Sequence, residues 1–449
     1  PKKWILKNEV REGNSLMAQQ ISSTNADTLS RKVDSRYAWR RLVASLIIGS
    51  VGGVGMWSPV ILLPEIQNYF DLDRSQASLP FTVGMLGIVF GNVFMGRMVD
   101  KFGVVIPTLA SAFCLCFGYL AIAFIQNFWL FLFFQCVLIG AFGTSGTFGT
   151  MISSVSLWFS RYRGIAVSLV ASGSYIAGTI WPPVMRDLID TFGWQVTHSI
   201  VGIACFIVMV PLALYLRGDP PTEPEEDTKN GEGARIAPPF PLGALQVLLI
   251  VAGIACCVAM AMPQVHLVAY CVDLDVGAQR GAEMLSIMFG LGVVSRILFG
   301  FLTDWIGAVW ALFIGSLLQA ISLALYIPSE SLISLYFVSA LFGLFQGGIV
   351  PAYAVIIRQY YPASQAGLRV GLVLSATIAG MAFGGWLSGE IFDITLSYKA
   401  AFWNGFSWNL LNLAIVGVIL CRTRDKLKVT AQKVIAPFPT LGRWPGPLG

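Results

Sequence analysis

Uncharged apolar runs of about 20 residues alternate along this chain with short polar breaks, and the charges collect in the breaks. A helix rises about 1.5 Å per residue, so a run of that length crosses a hydrocarbon core of about 30 Å. Twelve runs can be placed, at 42–64, 78–97, 104–125, 129–157, 164–189, 195–216, 243–269, 283–303, 308–327, 332–357, 367–388 and 400–421. In lipid a spanning segment must satisfy its own backbone, so each run predicts a helix. The fold class is therefore all-α and polytopic, with twelve transmembrane helices. The fourth, fifth, seventh and tenth runs are long enough to tilt or to project from the bilayer.

The pattern repeats. GRMVDKFG at Gly96–Gly103 returns as GFLTDWIG at Gly300–Gly307, so that Gly96 and Gly300, Asp100 and Asp304, and Gly103 and Gly307 are each 204 positions apart. A second match, Ile176-Ala177-Gly178 with Ile378-Ala379-Gly380, has an offset of 202. Parallel repeats of this kind build two pseudo-symmetric six-helix bundles about an axis along the membrane normal. The expected organisation is an N-terminal tail (1–41), a first bundle (42–216), a linker (217–242), a second bundle (243–421) and a C-terminal tail (422–449). The linker is rich in proline, glycine and acids, which predicts a solvated tether. Glycines at 140, 143, 146 and 149, and at 380, 384 and 385, predict close helix approach, which is compatible with a path lined by small side chains.

Composition agrees: 56% of residues are apolar, 12% are charged and the mean hydropathy is +0.72, which excludes a soluble globular protein. Arg31, Lys32, Arg36, Arg40 and Arg41 precede the first run, and Arg422, Arg424, Lys426 and Lys428 follow the last. By the positive-inside rule both ends are cytoplasmic, in a multi-pass protein of the cell membrane. Arg161 and Arg163 fit that asymmetry; Arg74, Arg186, Arg280 and Lys399 fall on the other side as exceptions. The net charge of +5 then reports topology and not nucleic-acid binding. No apolar h-region occurs in the first 41 residues, so the first run is expected to act as the insertion signal; Met17 is an alternative start that would leave residues 1–16 outside the native chain. The eight cysteines lie in or beside apolar runs, as small hydrophobes and not as a disulfide or zinc framework. No H-E-x-x-H, G-x-S-x-G or P-loop pattern occurs, so neither an enzyme nor a metal or cofactor is expected.

Arg296 is the basic residue that lies well inside an apolar run. It precedes Asp304 by eight residues, ~12 Å along the helix, which places it near the bilayer midplane. An arginine there costs at least about 2.5 kcal/mol, and no acid lies at comparable depth to offset it. A substrate carboxylate would, since guanidinium presents a planar fork to it; a bond to backbone carbonyls or another helix is the alternative. In the repeat, Arg296 falls opposite Asn92. His266, just after Pro263, is expected at a helix break lining a cavity, where it could take part in proton coupling or serve as a hydrogen-bonded wall residue. Tyr175, Tyr353, Gln346 and Asn92 are polar groups at depth that could line the path, or satisfy neighbouring helices. Asp100 and Asp304 end corresponding helices and are expected to hold gate contacts with basic residues and a helix N-terminus.

With its twelve runs, central linker and octapeptide, the chain resembles the major facilitator superfamily. The family motif G-x-x-x-D-[RK]-x-G is matched at Gly96, Asp100, Lys101 and Gly103, and in part at Gly300, Asp304 and Gly307. The segments Arg74–Gly87, Pro263–Val276 and Gly292–Gly307 resemble the monocarboxylate porter and oxalate–formate antiporter group. The resemblance implies a monomeric carrier of a small organic anion, working by rocking of two halves, with the eighth-span arginine on the substrate and proton symport as the coupling. Gly292 stands where the porters place an aspartate, the first span lacks their lysine, and the eleventh lacks the lysine of the oxalate–formate exchangers. Uniport and exchange of a dicarboxylate such as oxalate with formate therefore stay open. A drug/proton antiporter would need membrane-embedded acids that the runs do not supply.

Overall fold

A computed structural model describes residues 33–159, 162–218, 238 and 240–435. The readings placed on residues 1–32, on Arg161, on 219–237 and 239 of the linker, and on 436–449 lie outside the described residues. The described residues contain twelve helices long and apolar enough to cross a membrane. We number them α1 (Arg36–Ile61), α2 (Arg74–Phe102), α3 (Val105–Phe124), α4 (Phe128–Ser156), α5 (Ile165–Phe192) and α6 (Trp194–Tyr215) in the first half. The second half holds α7 (Leu242–Asp273), α8 (Ala278–Ile306), α9 (Ala308–Tyr326), α10 (Leu332–Tyr360), α11 (Gly367–Thr395) and α12 (Tyr398–Thr423).

Packing follows the repeat. Within the first half α2 packs on α4, α3 on α6 and α1 on α5; within the second α8 packs on α10, α9 on α12 and α7 on α11. The halves meet along two seams, α2 with α11 and α5 with α8, which exchange under the same two-fold relation.

Several helices outrun the hydropathy pattern. The second and eighth were expected over 78–97 and 283–303, and extend to Arg74–Phe102 and Ala278–Ile306. The octapeptides are themselves helical, and each helix stops where Gly103 and Gly307 turn to φ +71° and +89°. A side chain would strain that conformation, which explains why the last glycine of the octapeptide recurs. The expected break at Pro263 is absent: α7 is continuous, and Ala255–Cys271 is buried throughout. Breaks fall instead at Ser172 in α5 and at Gly347–Gly348 in α10, while Gln135–Thr144 of α4 is wound as a π-helix.

The four cations that broke the Lys/Arg asymmetry are all ion-paired. Arg74 binds Asp273 at 2.9 Å, Arg186 binds Glu65 and Asp190, Arg280 binds Glu283 at 2.9 Å, and Lys399 binds Glu330 at 2.6 Å. They lie at the end of the bundle remote from the chain termini, where a neutralised cation adds little to the topological asymmetry.

Candidate functional site

The two seams are closed at the remote end. Asp393, near the end of α11, accepts from the backbone amides of Arg74 (2.8 Å) and Ser75 (2.7 Å). It thereby caps the N-terminus of α2 from the other half, because Asp73 makes no side-chain cap there. The Arg74 guanidinium bonds Asp273 and lies 4.8 Å from the Phe392 ring centroid and 5.7 Å from that of Tyr398. Two turns further along α2, the Thr82 hydroxyl donates to the Ala382 carbonyl at 3.0 Å.

The α5–α8 seam runs deeper. From the remote end inward, Gln279 donates to Asp187, Ser286 to the Thr179 carbonyl, and Arg296 to the Ala171 carbonyl. Between these bonds the rings interlock: a methyl on Gly178 would meet the Phe289 ring, and one on Gly292 would overlap the Tyr175 ring. Trp57 of α1 packs on Phe289 with ring centroids 4.1 Å apart and is held by its own bond to the Ser174 carbonyl (2.9 Å). Among the described residues, the Arg296–Ala171 bond is the hydrogen bond between halves that lies nearest the terminal end.

Beyond it no hydrogen bond or ion pair joins the halves among the described residues. A methyl on Gly96, Gly300, Gly367 or Gly371 would meet no atom within 4 Å. Asp100, Lys101 and Asp304 are exposed, and neither aspartate forms an ion pair among the described residues.

Arg296 is half-buried on α8. Its Nη1 donates to Ala171, its guanidinium carbon sits 4.0 Å from the Tyr175 ring centroid, and Nε is buried without a partner. A guanidinium has five N–H donors, so a single carbonyl and a π face leave it under-satisfied. Arg296 and Tyr175 are thus brought together, across the seam. Gly292, where an aspartate might have been expected, has no room for a side chain because the Tyr175 ring fills the space.

The other polar residues singled out in the sequence are not part of this cluster. His266 is fully buried near the remote end: Nε2 faces the Gly385 carbonyl (2.7 Å) and Nδ1 the Tyr398 hydroxyl (3.1 Å). The carbonyl can only accept, so Nε2 carries the proton, and His266 braces the ring beside Arg74 instead of lining a cavity. Tyr353 points away from the seams, donating to Asn412 of α12 at 2.9 Å. Asn92 lies against Gly149 of α4, with its Oδ1 buried and unpartnered. Gln346 accepts from Gln264 of α7 at 2.7 Å beside the α10 break, and its own Nε2 is buried without a partner.

Three features escaped the sequence reading: the Ala171 carbonyl, the glycine sockets at 178 and 292, and the trans cap from Asp393. Arg74 carried a signal for the last, as a cation out of place in the topology.

The Major Facilitator Superfamily model matches residues 45–310 and 281–444. The chain is 26% identical to the MFS transporter asaE of Aspergillus flavus, over 70% of this chain and 72% of that protein. It is 24% identical to monocarboxylate transporter 13 of Bos taurus, over 80% of this chain and 82% of the relative. Among solved structures, the peptide transporter POT aligns with a TM-score of 0.68 at 14% identity, covering 86% of this chain and 94% of that one. A bacterial homologue of the lysosomal transporter Spinster, in an inward-facing conformation, aligns at 0.61 and 13%, covering 90% and 99%.

Proposed function

The chain belongs to the major facilitator superfamily, and from that premise we propose that it carries a small organic anion, a monocarboxylate, by alternating access, with Arg296 pairing the carboxylate. As a family member it is a multi-pass membrane transporter and not an enzyme.

The observation that carries this reading is the condition of Arg296: half-buried, with one neutral carbonyl partner, one aromatic face and an unpartnered Nε. A carboxylate would supply both the charge and the second hydrogen bond that the protein withholds. A single cation matches a single carboxylate, which favours a monocarboxylate over oxalate. The similarity to a protein named monocarboxylate transporter 13 points the same way.

With both termini in the cytoplasm, as the Lys/Arg asymmetry implies, the terminal end faces inward and the Arg74–Asp273–Asp393 clamp is the closed outer gate. Asp100, Lys101 and Asp304, on the octapeptides begun by Gly96 and Gly300, then belong to the inner gate, and their exposure fits its open state. We assign His266 to the outer gate, and Tyr175 to the substrate site.

Counterflow in proteoliposomes, with labelled monocarboxylates, dicarboxylates and sugars at two pH values, tests the class and any movement of protons. Arg296→Ala should abolish exchange while the protein stays monodisperse in detergent; undiminished exchange would overturn the assignment.

A further inference from the structure

We propose that the Ala171 carbonyl stands in for the substrate: in the empty carrier it occupies the place on Arg296 that an anion takes, so that anion binding unfastens α8 from α5. This rests on the reading of Arg296 as the anion site and adds how occupancy of that site is passed to the gate.

The break in α5 creates the stand-in. In an unbroken helix the Tyr175 amide would bond the Ala171 carbonyl; here it bonds the Ser172 carbonyl at 3.0 Å. The Ala171 oxygen is left with a distant Ser174 hydroxyl at 3.4 Å and with Arg296. The first segment of α5 ends at this point, so the carbonyl also carries the partial negative charge of a helix C-terminus. Packing holds the break in place: Gly173 lies against the backbone of Gly49 in α1, where an added methyl would come within 3.3 Å of the Gly49 carbonyl carbon.

The stand-in is weak by comparison with the guest. A bond to a carboxylate is about twice as strong as one to a neutral acceptor, and a carboxylate can take two N–H groups of the fork at once. An anion arriving from the terminal end therefore displaces the carbonyl. That removes the innermost bond of the seam, while the rings of Tyr175 and Phe289 above it remain seated on glycines, held by shape alone. A ligand that binds only where the rung is broken shifts the population toward states in which the outer gate parts.

The test reads the outer gate directly. Ser78 is 1% exposed, on the turn of α2 between Ser75 and Thr82, both of which bond α11. Ser78→Cys in a chain stripped of its native cysteines gives a thiol whose labelling rate by a hydrophilic maleimide reports opening. Formate at saturation, the smallest carboxylate, should raise that rate about fivefold or more over chloride at equal ionic strength. In Arg296→Gln the rate should be raised without formate, and formate should add nothing. A basal rate in Arg296→Gln equal to that of the parent would overturn the rung. A raised basal rate, with a parent unmoved by formate, would overturn the competition. Loss of counterflow in Arg296→Ala beside an unchanged labelling rate in Arg296→Gln would keep the anion site and discard the stand-in, so the two readings fail separately.

Discussion

The guanidinium of Arg296 lies 4.0 Å from the centroid of the Tyr175 ring, and the two side chains come from opposite halves of the molecule. The ring offers a negative π face to a cation that has no carboxylate partner, a contact that contributes about 1 kcal/mol when partly desolvated. Tyr175→Phe keeps the face and should transport at close to the parent rate. Tyr175→Leu keeps an apolar side chain but not the face, and kcat/KM for the substrate should fall roughly fivefold if that substrate is the proposed anion. Equal kcat/KM in the two variants would show that the ring only fills space.

The same ring needs Gly292. A methyl there overlaps Tyr175, just as a methyl on Gly178 presses on Phe289, so each half carries a socket for a ring of the other. Gly292→Ala and Gly178→Ala should each destabilise the closed α5–α8 seam by about 1–3 kcal/mol through overpacking. Spin labels at Asp71 and Leu396, both exposed at the remote end, should report a longer distance in either variant than in the parent. An unchanged distance distribution would mean that the seam absorbs the methyl.

Asp393 caps α2 in trans, so its loss should be felt in the other half. N-terminal caps contribute about 0.5–2 kcal/mol. Asp393→Ala should speed hydrogen exchange of the Arg74 and Ser75 amides about fivefold, with amides inside α3 unaffected. Exchange rates that stay put would assign the cap to Asp73, which makes no such bond in this structure.

How far these relationships were legible in the sequence depended on whether they left a periodic or a steric trace. The twelve spans did, since lipid imposes length and apolarity on every helix. The last glycine of the octapeptide did as well, because Gly103 and Gly307 must adopt positive φ to stop corresponding helices. Arg296 stood out because a charge at depth is costly and needs a partner. The pattern left open whether that partner was a substrate or a backbone carbonyl such as that of Ala171. Pro263 misled: proline marks the loss of one hydrogen bond, and α7 tolerates that inside a buried bundle. The break at Ser172 left no such mark; it sits where Gly173 packs against the backbone of Gly49, over a hundred residues away in the chain. Tyr353 and Tyr175 could not be separated by pattern either. Both are tyrosines on apolar helices, and only the packing shows that one faces Asn412 and the other Arg296.

Gln346 permits a separation of structural from functional roles. Gln264 donates to it at 2.7 Å, both side chains are buried, and the Gln346 Nε2 has hydrogens to spare and no partner. Gln264→Leu alone leaves the Gln346 amide with no partner at all and should destabilise the protein by about 1–3 kcal/mol. Replacing both by leucine removes both polar groups and should bring the melting temperature in detergent back near that of the parent. On the proposal that the unpartnered Gln346 donor beside the α10 break reaches an oxygen of the substrate, transport should not return with it, because leucine has no N–H to offer. If the double variant regains transport together with stability, the pair serves only to join α7 to α10, and substrate recognition rests on Arg296 and Tyr175.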